Sequence, residues 1–199
     1  MASLQLRGRH ICGGALVRED FVLTAAHCQT PRTYTVVLGV GSLTANEPTK
    51  QEFTANRSFP HPNYDGHAND IMLIRLDRPA QLTAAVRLIP PKRRRMNAAS
   101  RCITAGWGDV GDNGTLPIRL QEVNVTLLSR RACRRRWTGV PITRTMGDSG
   151  GPLVCDGEAA GVVSFSGRRC GDPQTPDVYT RTSSFRRWIG SVLRDNPVD

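Results

Sequence analysis

Three short segments, far apart in the chain, constrain the fold more than any other feature of the sequence. They are Leu23–Cys28 (LTAAHC), His67–Leu73 (HANDIML) and Gly147–Pro152 (GDSGGP). A serine between glycines lets the backbone turn tightly and leaves the hydroxyl exposed. A histidine can take the proton of that hydroxyl, and a buried aspartate can fix the tautomer of the histidine. A fold that uses all three segments must therefore bring His27, Asp70 and Ser149 to one place.

Taken singly, each segment also fits a structural role: an ordinary turn at Ser149, a core histidine and a capping aspartate. Their joint occurrence in the order His, Asp, Ser favours catalysis. The order and the strings resemble the chymotrypsin-type serine proteases. That resemblance implies that His27 is the general base, Asp70 the orienting acid and Ser149 the nucleophile. It also implies an oxyanion hole made by the backbone N–H groups of Gly147 and Ser149.

Short alternating or apolar runs between turn signals predict an all-β domain, either a barrel or a sandwich. The predicted strands are Ala15–Val17, Phe21–Thr24, Tyr34–Leu38, Ile71–Leu76, Arg101–Ala105, Glu122–Leu127, Leu153–Cys155, Gly161–Phe165 and Val178–Arg181. The family resemblance selects two packed antiparallel β-barrels within one protease domain spanning residues 1–199. The lobes would cover about 1–90 and 91–183, with Pro90–Lys92 between them and the active site in the cleft.

A C-terminal α-helix is expected at about 184–195. Its apolar residues follow the spacing of one helix face, and Ser184 is the expected N-cap. The members of that face are Phe185, Trp188, Ile189, Val192 and Leu193.

The six cysteines argue for an oxidising compartment. Six cysteines allow 15 pairings, among which the residues alone do not choose. The resemblance implies the pairs Cys12–Cys28 and Cys102–Cys155, and it leaves Cys133 and Cys170 either free or paired with each other. A zinc site is not expected because no short Cys-x2–4-Cys spacing is present. We expect no metal and no cofactor.

The expected location is outside the cell or in secretory granules. Met1–Arg7 lacks the apolar segment of a signal peptide, and no apolar run is long enough to span a bilayer. The cysteines and the glycosylation sequons at Asn56, Asn113 and Asn124 nevertheless fit a secreted glycoprotein.

The chain is strongly basic, with 27 Lys and Arg against 17 Asp and Glu and a net charge of +10. The basic residues cluster, which predicts a polyanion partner such as a heparin-like glycan, DNA or an anionic microbial surface. No aromatic interleaving or nucleic-acid-binding module supports sequence-specific nucleic-acid recognition. The runs are 92–95, 130–131, 134–136, 168–169 and 186–187.

A substrate cleft is also implied by the resemblance. Ser164, Phe165 and Ser166 match the family strand that pairs with an extended peptide. Asp177 stands where most relatives have glycine, and its carboxylate could bind a substrate arginine, although it could also be a covered structural group. Within the family, the strings at Val163–Gly167 and Thr175–Thr180 resemble the neutrophil serine proteases, which are granule-stored endopeptidases that cleave after arginine. The implied partners are protein or peptide substrates and serpin-type inhibitors, and the implied state is a monomer.

Two departures from the family pattern bear on activity. The activation segment at the mature N-terminus has no counterpart, and a loop that carries two cysteines and the floor of the specificity pocket is missing before Gly147. Without the family's N-terminal amine, Asp148 would be a buried charge that lacks its cation. We therefore expect this polypeptide to be slow or inert. The alternative is a non-catalytic cationic protein on a protease fold, resembling azurocidin, that binds heparin or microbial surfaces.

Overall fold

The computed structural model describes residues 1–110, 116–137, 149–167 and 172–198. Its first lobe is a closed antiparallel barrel with strand order β1-β2-β3-β6-β5-β4. The strands of this barrel are β1 (Ala2–Leu6), β2 (Arg9–Arg18), β3 (Phe21–Thr24), β4 (Thr35–Leu38), β5 (Gln51–Pro60) and β6 (Met72–Leu76).

The first barrel closes around most of the hydrophobic core. All four residues of β3 are buried, and β6 is buried except for Arg75. Phe21, Leu23 and Ile74 are each fully inaccessible. At Gly14 the strands approach so closely that a Cβ atom would lie 2.6 Å from Val22 Cγ1. The barrel is therefore closely packed, and the site is built on it.

The second lobe is a five-stranded antiparallel sheet of order β11-β10-β9-β7-β8 in the described residues. Its strands are β7 (Arg101–Gly106), β8 (Gln121–Thr126), β9 (Pro152–Cys155), β10 (Glu158–Phe165) and β11 (Val178–Arg181). Among its described residues, Cys102, Leu153, Cys155 and Ala160 form a core cluster separate from that of the first barrel. The described part of this lobe thus has a smaller core cluster of its own than the first.

The segment between the lobes is fixed to β10. Ala159 N–H donates to Pro90 O at 2.9 Å, and Lys92 N–H donates to Ala159 O at 2.8 Å. The ammonium of Lys92 donates to Asp156 Oδ2 at 3.2 Å and to Glu158 Oε2 at 2.5 Å. Lys92 is only 8% exposed. It is consequently an internal ion-paired residue and not part of the basic surface, contrary to the expectation for the run 92–95.

Two α-helices complete the described chain. Helix α1 (Arg130–Arg136) begins where Ser129 accepts a hydrogen bond from Ala132 N–H, and its last turn is entirely basic, which suits the negative end of the helix dipole. Helix α2 (Arg186–Asp195) follows a 3-10 turn at Thr182–Phe185. The N-cap of α2 is Phe185, not the expected Ser184, because that serine is taken up by the 3-10 turn.

The all-β fold with a C-terminal helix is confirmed. Strands β1 and β5 and helix α1 were not among the predicted elements. Strand β5 lacks a regular alternation of apolar and polar residues, and α1 is a run of arginines around one alanine and one cysteine. None of the helices in the described ranges is long and apolar enough to cross a membrane.

Candidate active site

The pairing of β3 with β6 places His27 beside Asp70. Thr24, the last residue of β3, pairs with Met72, the first residue of β6. The chain that leaves β3 and the chain that enters β6 therefore meet at one end of the barrel. His27 lies just after β3, in a 3-10 turn at Ala26–Cys28, and Asp70 lies just before β6.

The histidine turn is held by a disulfide. Cys28 is bonded to Cys12 on β2, with a sulfur–sulfur distance of 2.05 Å. The structure also contains the Cys102–Cys155 bond between β7 and β9. Both are pairs that the family resemblance implies.

Asp70 is 4% exposed and accepts three hydrogen bonds. Its Oδ1 atom accepts from the backbone N–H of His27 at 2.9 Å. Its Oδ2 atom lies 2.7 Å from His27 Nδ1 and accepts from the Ser164 hydroxyl at 2.6 Å. A carboxylate only accepts, so Nδ1 carries the proton and the lone pair of the imidazole is on Nε2.

The chain before Asp70 adopts a conformation that few residue types tolerate. Asn69 has a positive φ of 59°, a region in which asparagine is enriched. Its side-chain amide donates to Asn63 O at 2.8 Å, which fixes the turn. The turn thereby directs the Asp70 side chain to His27.

Two opposing effects act on the pKa of Asp70. Burial raises it, but the hydrogen bond and charge of His27 and the hydrogen bond from Ser164 outweigh burial, and the pKa falls below its usual value. Asp70 is therefore ionised at neutral pH. An ionised carboxylate orients the imidazole and would stabilise an imidazolium.

His27 Nε2 is buried and makes no hydrogen bond in the described part of the chain. A buried imidazole nitrogen that carries a lone pair and lacks a partner is available to accept a proton from an incoming group. The Ser149 hydroxyl, which lies in the described chain, does not hydrogen-bond to this nitrogen, so the structure shows the contact of His27 with Asp70 but not a contact of His27 with Ser149.

The segment around Ser149 is fixed against the same disulfide. Gly13 N–H donates to Ser149 O at 2.8 Å, and Cys28 Sγ lies 3.7 Å from that oxygen. Gly150 N–H donates to Val163 O at 2.9 Å, next to Ser164 in the chain. The backbone of Ser149 is thus held between the histidine turn and the strand that carries Ser164.

The residue after Ser149, Gly150, must be a glycine because the backbone packs closely at this position. Its φ is +81°, and a Cβ atom there would lie 2.2 Å from Thr24 Oγ1 and 2.7 Å from Gly13 O. Only glycine fits this close approach between the two lobes.

The structure shows the surroundings of the three residues in the predicted substrate strand, Ser164–Ser166. Ser164 contacts Asp70 through its side chain, a role that the sequence analysis did not assign to it. Phe165 packs edge-to-face against Trp137, with ring centroids 5.2 Å apart. Ser166 is 1% exposed, and its hydroxyl has no partner in the described residues.

Trp137 is a site residue that the sequence analysis missed. Besides its contact with Phe165, its indole N–H donates to Pro176 O at 3.1 Å. It therefore connects the strand at Phe165 to the segment that carries Asp177. A lone tryptophan after an arginine run has no periodic pattern, so its three-dimensional role left no signal.

Asp177 is exposed, and its carboxylate forms no hydrogen bond with the described residues of the strand Ser164–Ser166. It lines a cavity of about 550 Å³ on the second lobe, together with Tyr179 and Met96. Burial, and secondarily the charge of Asp177, raise the pKa of the Tyr179 phenol. The role of Asp177 in substrate recognition stays a prediction.

Several predicted features lie outside the described residues. They are Gly147, Asp148, the sequon asparagine Asn113, Cys170 and the run 168–169. The backbone N–H of Gly147 therefore stays a predicted donor of the oxyanion hole. The other sequon asparagines, Asn56 and Asn124, are exposed on β5 and β8, and Cys133 forms no disulfide with a described residue.

One group of potential metal ligands occurs in the described chain. The donor atoms of Cys12, His27 and Cys28 lie within 4.8 Å of one another. Metal binding requires the thiolate form of cysteine, and both sulfur atoms are joined in the disulfide. The arrangement therefore offers a metal a single imidazole.

Comparison with known proteins gives consistent matches. The family model described as Trypsin matches residues 1–189. Serine protease 57 from Homo sapiens is 45% identical over 98% of this chain and 76% of its own length. Mast cell protease 3 from Ovis aries is 43% identical over 98% of this chain and 84% of its own length.

Among solved structures, neuropsin, a serine protease expressed in the limbic system of mouse brain, superposes with a TM-score of 0.88. It is 36% identical in sequence, and the match covers 96% of this chain and 92% of neuropsin.

Proposed function

Because the chain belongs to the trypsin family of serine proteases, we propose that it is a secreted serine endopeptidase that cleaves after arginine. The observation that carries the proposal is the ionised Asp70 bound to His27 Nδ1, with His27 Nε2 left unpartnered. In a neutral imidazole held this way the lone pair on Nε2 can accept a proton from the Ser149 hydroxyl, which is the role of a general base.

In the proposed reaction, the Ser149 hydroxyl attacks the scissile carbonyl and its proton passes to His27 Nε2. The backbone N–H groups of Gly147 and Ser149 stabilise the oxyanion of the tetrahedral intermediate. His27 then gives the proton to the departing amine, and water repeats the sequence on the acyl-enzyme. Asp70 stays ionised throughout and holds the imidazolium in place.

Substrate positioning is assigned to the strand Ser164–Ser166, which would pair with an extended peptide through its backbone. Arginine preference is assigned to Asp177, because a guanidinium can form two charge-assisted hydrogen bonds to one carboxylate. Serpin-type inhibitors would occupy the same cleft, and the monomer is the expected unit. The exposed sequons at Asn56 and Asn124 and the disulfides support secretion or granule storage.

The test uses a completed protein, in which this chain carries the N-terminal activation strand and the loop before Gly147 taken from serine protease 57. The alignment with that relative spans 217 positions against the 199 residues of this chain, so the relative carries residues within the aligned range that have no counterpart here. We expect the completed protein to hydrolyse arginyl peptides and the 199-residue chain to be much slower. Ser149→Ala should lower the turnover of the completed protein by several orders of magnitude; undiminished turnover would remove Ser149 from its role.

A second candidate function is polyanion binding without catalysis. The observation that favours it is a cavity on the second lobe lined by five arginines and no acidic residue. Retention on a heparin column, unchanged by Ser149→Ala, tests it independently of proteolysis. Elution at low salt would refute it.

A further inference from the structure

We propose that this arginine-lined cavity, and not the run Arg134–Arg136, is the binding site for a sulfated glycan. The proposal deepens the second candidate function and rests on it. The cavity has a volume of about 470 Å³ and is lined by Arg95, Arg130, Arg181, Ser183, Ser184, Arg186 and Arg187. We call it the arginine cavity.

The arginine cavity forms where four parts of the fold meet. Arg95 comes from the segment between the lobes, Arg130 begins α1, and Arg181 ends β11. Arg186 and Arg187 form the first turn of α2. Three of the predicted basic runs, which are far apart in sequence, therefore converge on one concave surface.

Arg130 and Arg181 also line the neighbouring cavity that contains Asp172 and Asp177, but none of the five guanidinium groups is paired with a carboxylate of the described chain. Within the described chain none of them forms a salt bridge or side-chain hydrogen bond, in contrast to Arg18, which pairs with Asp20, and Arg136, which donates to Pro173 O. Like charges around one concavity repel one another, and a bound anion relieves this repulsion. Arginine is also the side chain best suited to bidentate contact with sulfate or phosphate oxygens.

The start of α2 adds a positive potential on the same side. The first turn of α2 contains no acidic residue, and its N-cap makes no side-chain hydrogen bond. The backbone N–H groups of that turn and the hydroxyls of Ser183 and Ser184 are further donors for oxygen atoms of a ligand.

The lining favours a sulfated glycan over single-stranded nucleic acid. No aromatic side chain lines the arginine cavity, so it offers no platform on which bases could stack. Sulfate esters on a sugar chain need only closely spaced cationic donors and hydroxyl partners, and both are present. None of the lining residues belongs to the His27–Asp70–Ser164 network, so binding does not require the catalytic site.

The test uses the 199-residue chain, called the parent, and three variants of it. The cavity variant carries Arg130→Gln, Arg181→Gln and Arg187→Gln. Its charge-matched control carries Arg7→Gln, Arg9→Gln and Arg32→Gln, which are exposed on the first lobe. The third variant replaces Arg134, Arg135 and Arg136 with serine.

The measurement is the affinity for a heparin hexasaccharide over a range of salt concentrations. We expect the cavity variant to bind at least about tenfold more weakly. The slope of log affinity against log salt concentration should be shallower by about 2–3, because binding with fewer arginine contacts releases fewer counterions. The control and the Arg134–Arg136 variant should change affinity by less than about threefold.

The possible failures are distinguishable. If the parent chain does not bind the hexasaccharide, polyanion binding itself is refuted. If the parent binds but the cavity variant and the control weaken equally, binding is a diffuse charge effect and the site is wrong. If a single-stranded DNA oligonucleotide of equal charge binds more tightly than the hexasaccharide, the glycan assignment is overturned.

Discussion

At the scale of single residues, Asp70 holds the candidate site together, because its carboxylate connects His27 to Ser164. Its carboxylate accepts from both side chains and from the backbone of His27. These bonds keep the pKa of Asp70 low despite burial. A carboxyl group with a lowered pKa stabilises the fold above its unfolded pKa, about 3.9, and this contribution is lost as the pH falls through the folded pKa.

Asp70→Asn should therefore lower the free energy of unfolding at pH 7 by about 2 kcal/mol, because charge-assisted hydrogen bonds are replaced by neutral ones. The difference from the parent should shrink as the pH falls below about 4. Urea unfolding followed by tryptophan fluorescence at pH 7 and pH 3 measures both values. A difference that is the same at both pH values would show that Asp70 is not held ionised.

Asp177 is assigned the preference for arginine. In the completed protein, Asp177→Gly and the size-matched Asp177→Asn should each reduce the ratio of kcat/KM for arginyl over alanyl substrates by at least about tenfold, which corresponds to ~1.4 kcal/mol. An unchanged ratio in both variants would mean that the carboxylate faces away from the substrate.

At the scale of structural elements, the sequence predicted four of the six barrel strands but not the contacts between the two lobes. The buried runs of β3 and β6 are continuous and apolar, so the strands and the two residues next to them, His27 and Asp70, could be placed. The contact of Ser164 with Asp70 depends on the docking of β10 against the first barrel. No spacing rule within one strand encodes that docking, so only the structure shows it.

The turn at Gly150 is the element that joins Ser149 to the first lobe. Gly150→Ala should destabilise the fold by several kcal/mol, because its Cβ would clash with Thr24 and Gly13 in addition to backbone strain. Gly157→Ala is the matched control: its φ is +73°, but nothing lies within 4 Å of the added Cβ. We expect the control to cost only about 1–2 kcal/mol in thermal or urea unfolding. Equal costs in the two variants would refute the close approach at Gly150.

Helix α2 is held to the first barrel by arginine side chains. Arg18 donates to Leu193 O and to Asn196 O, each at 2.6 Å, and pairs with the buried Asp20. These contacts satisfy carbonyl groups that a helix end leaves without intrahelical partners.

Arg18→Ala should lower the free energy of unfolding by about 2–3 kcal/mol, since it leaves Asp20 with only the longer contact to Arg75. Arg194→Ala, on the exposed side of α2, is the control and should change stability by less than about 0.5 kcal/mol. Chemical unfolding monitored by circular dichroism gives both values. A cost for Arg194→Ala that matched Arg18→Ala would contradict the proposed attachment.

At the scale of the whole molecule, the two lobes differ in the size of the hydrophobic core that the described residues form. The first lobe is a closed barrel with a large core and carries the His27–Asp70 pair. The second lobe, as far as the structure describes it, is an open sheet with a small core and a cavity of about 550 Å³. The sequence predicted two lobes by resemblance, but the difference between them depends on how much apolar surface each one buries, which motifs do not report.

The distribution of the basic residues over the folded molecule was only partly predictable from the sequence. The sequence shows clustered arginines, but not that Lys92 is buried in an ion pair or that Arg130, Arg181 and Arg187 converge on one cavity. This convergence depends on how α1, β11, α2 and the segment between the lobes pack together. The structure therefore refines the basic runs into one candidate site.

The most direct test of the proposed function is the chemical identity of the nucleophile. The completed protein is treated with a fluorophosphonate, and the modified residue is located by peptide mapping with mass spectrometry. The account predicts a single adduct on Ser149, absent in Ser149→Ala and formed at least about 10³-fold more slowly in His27→Ala. An adduct on another residue, or an unchanged labelling rate in His27→Ala, would contradict it.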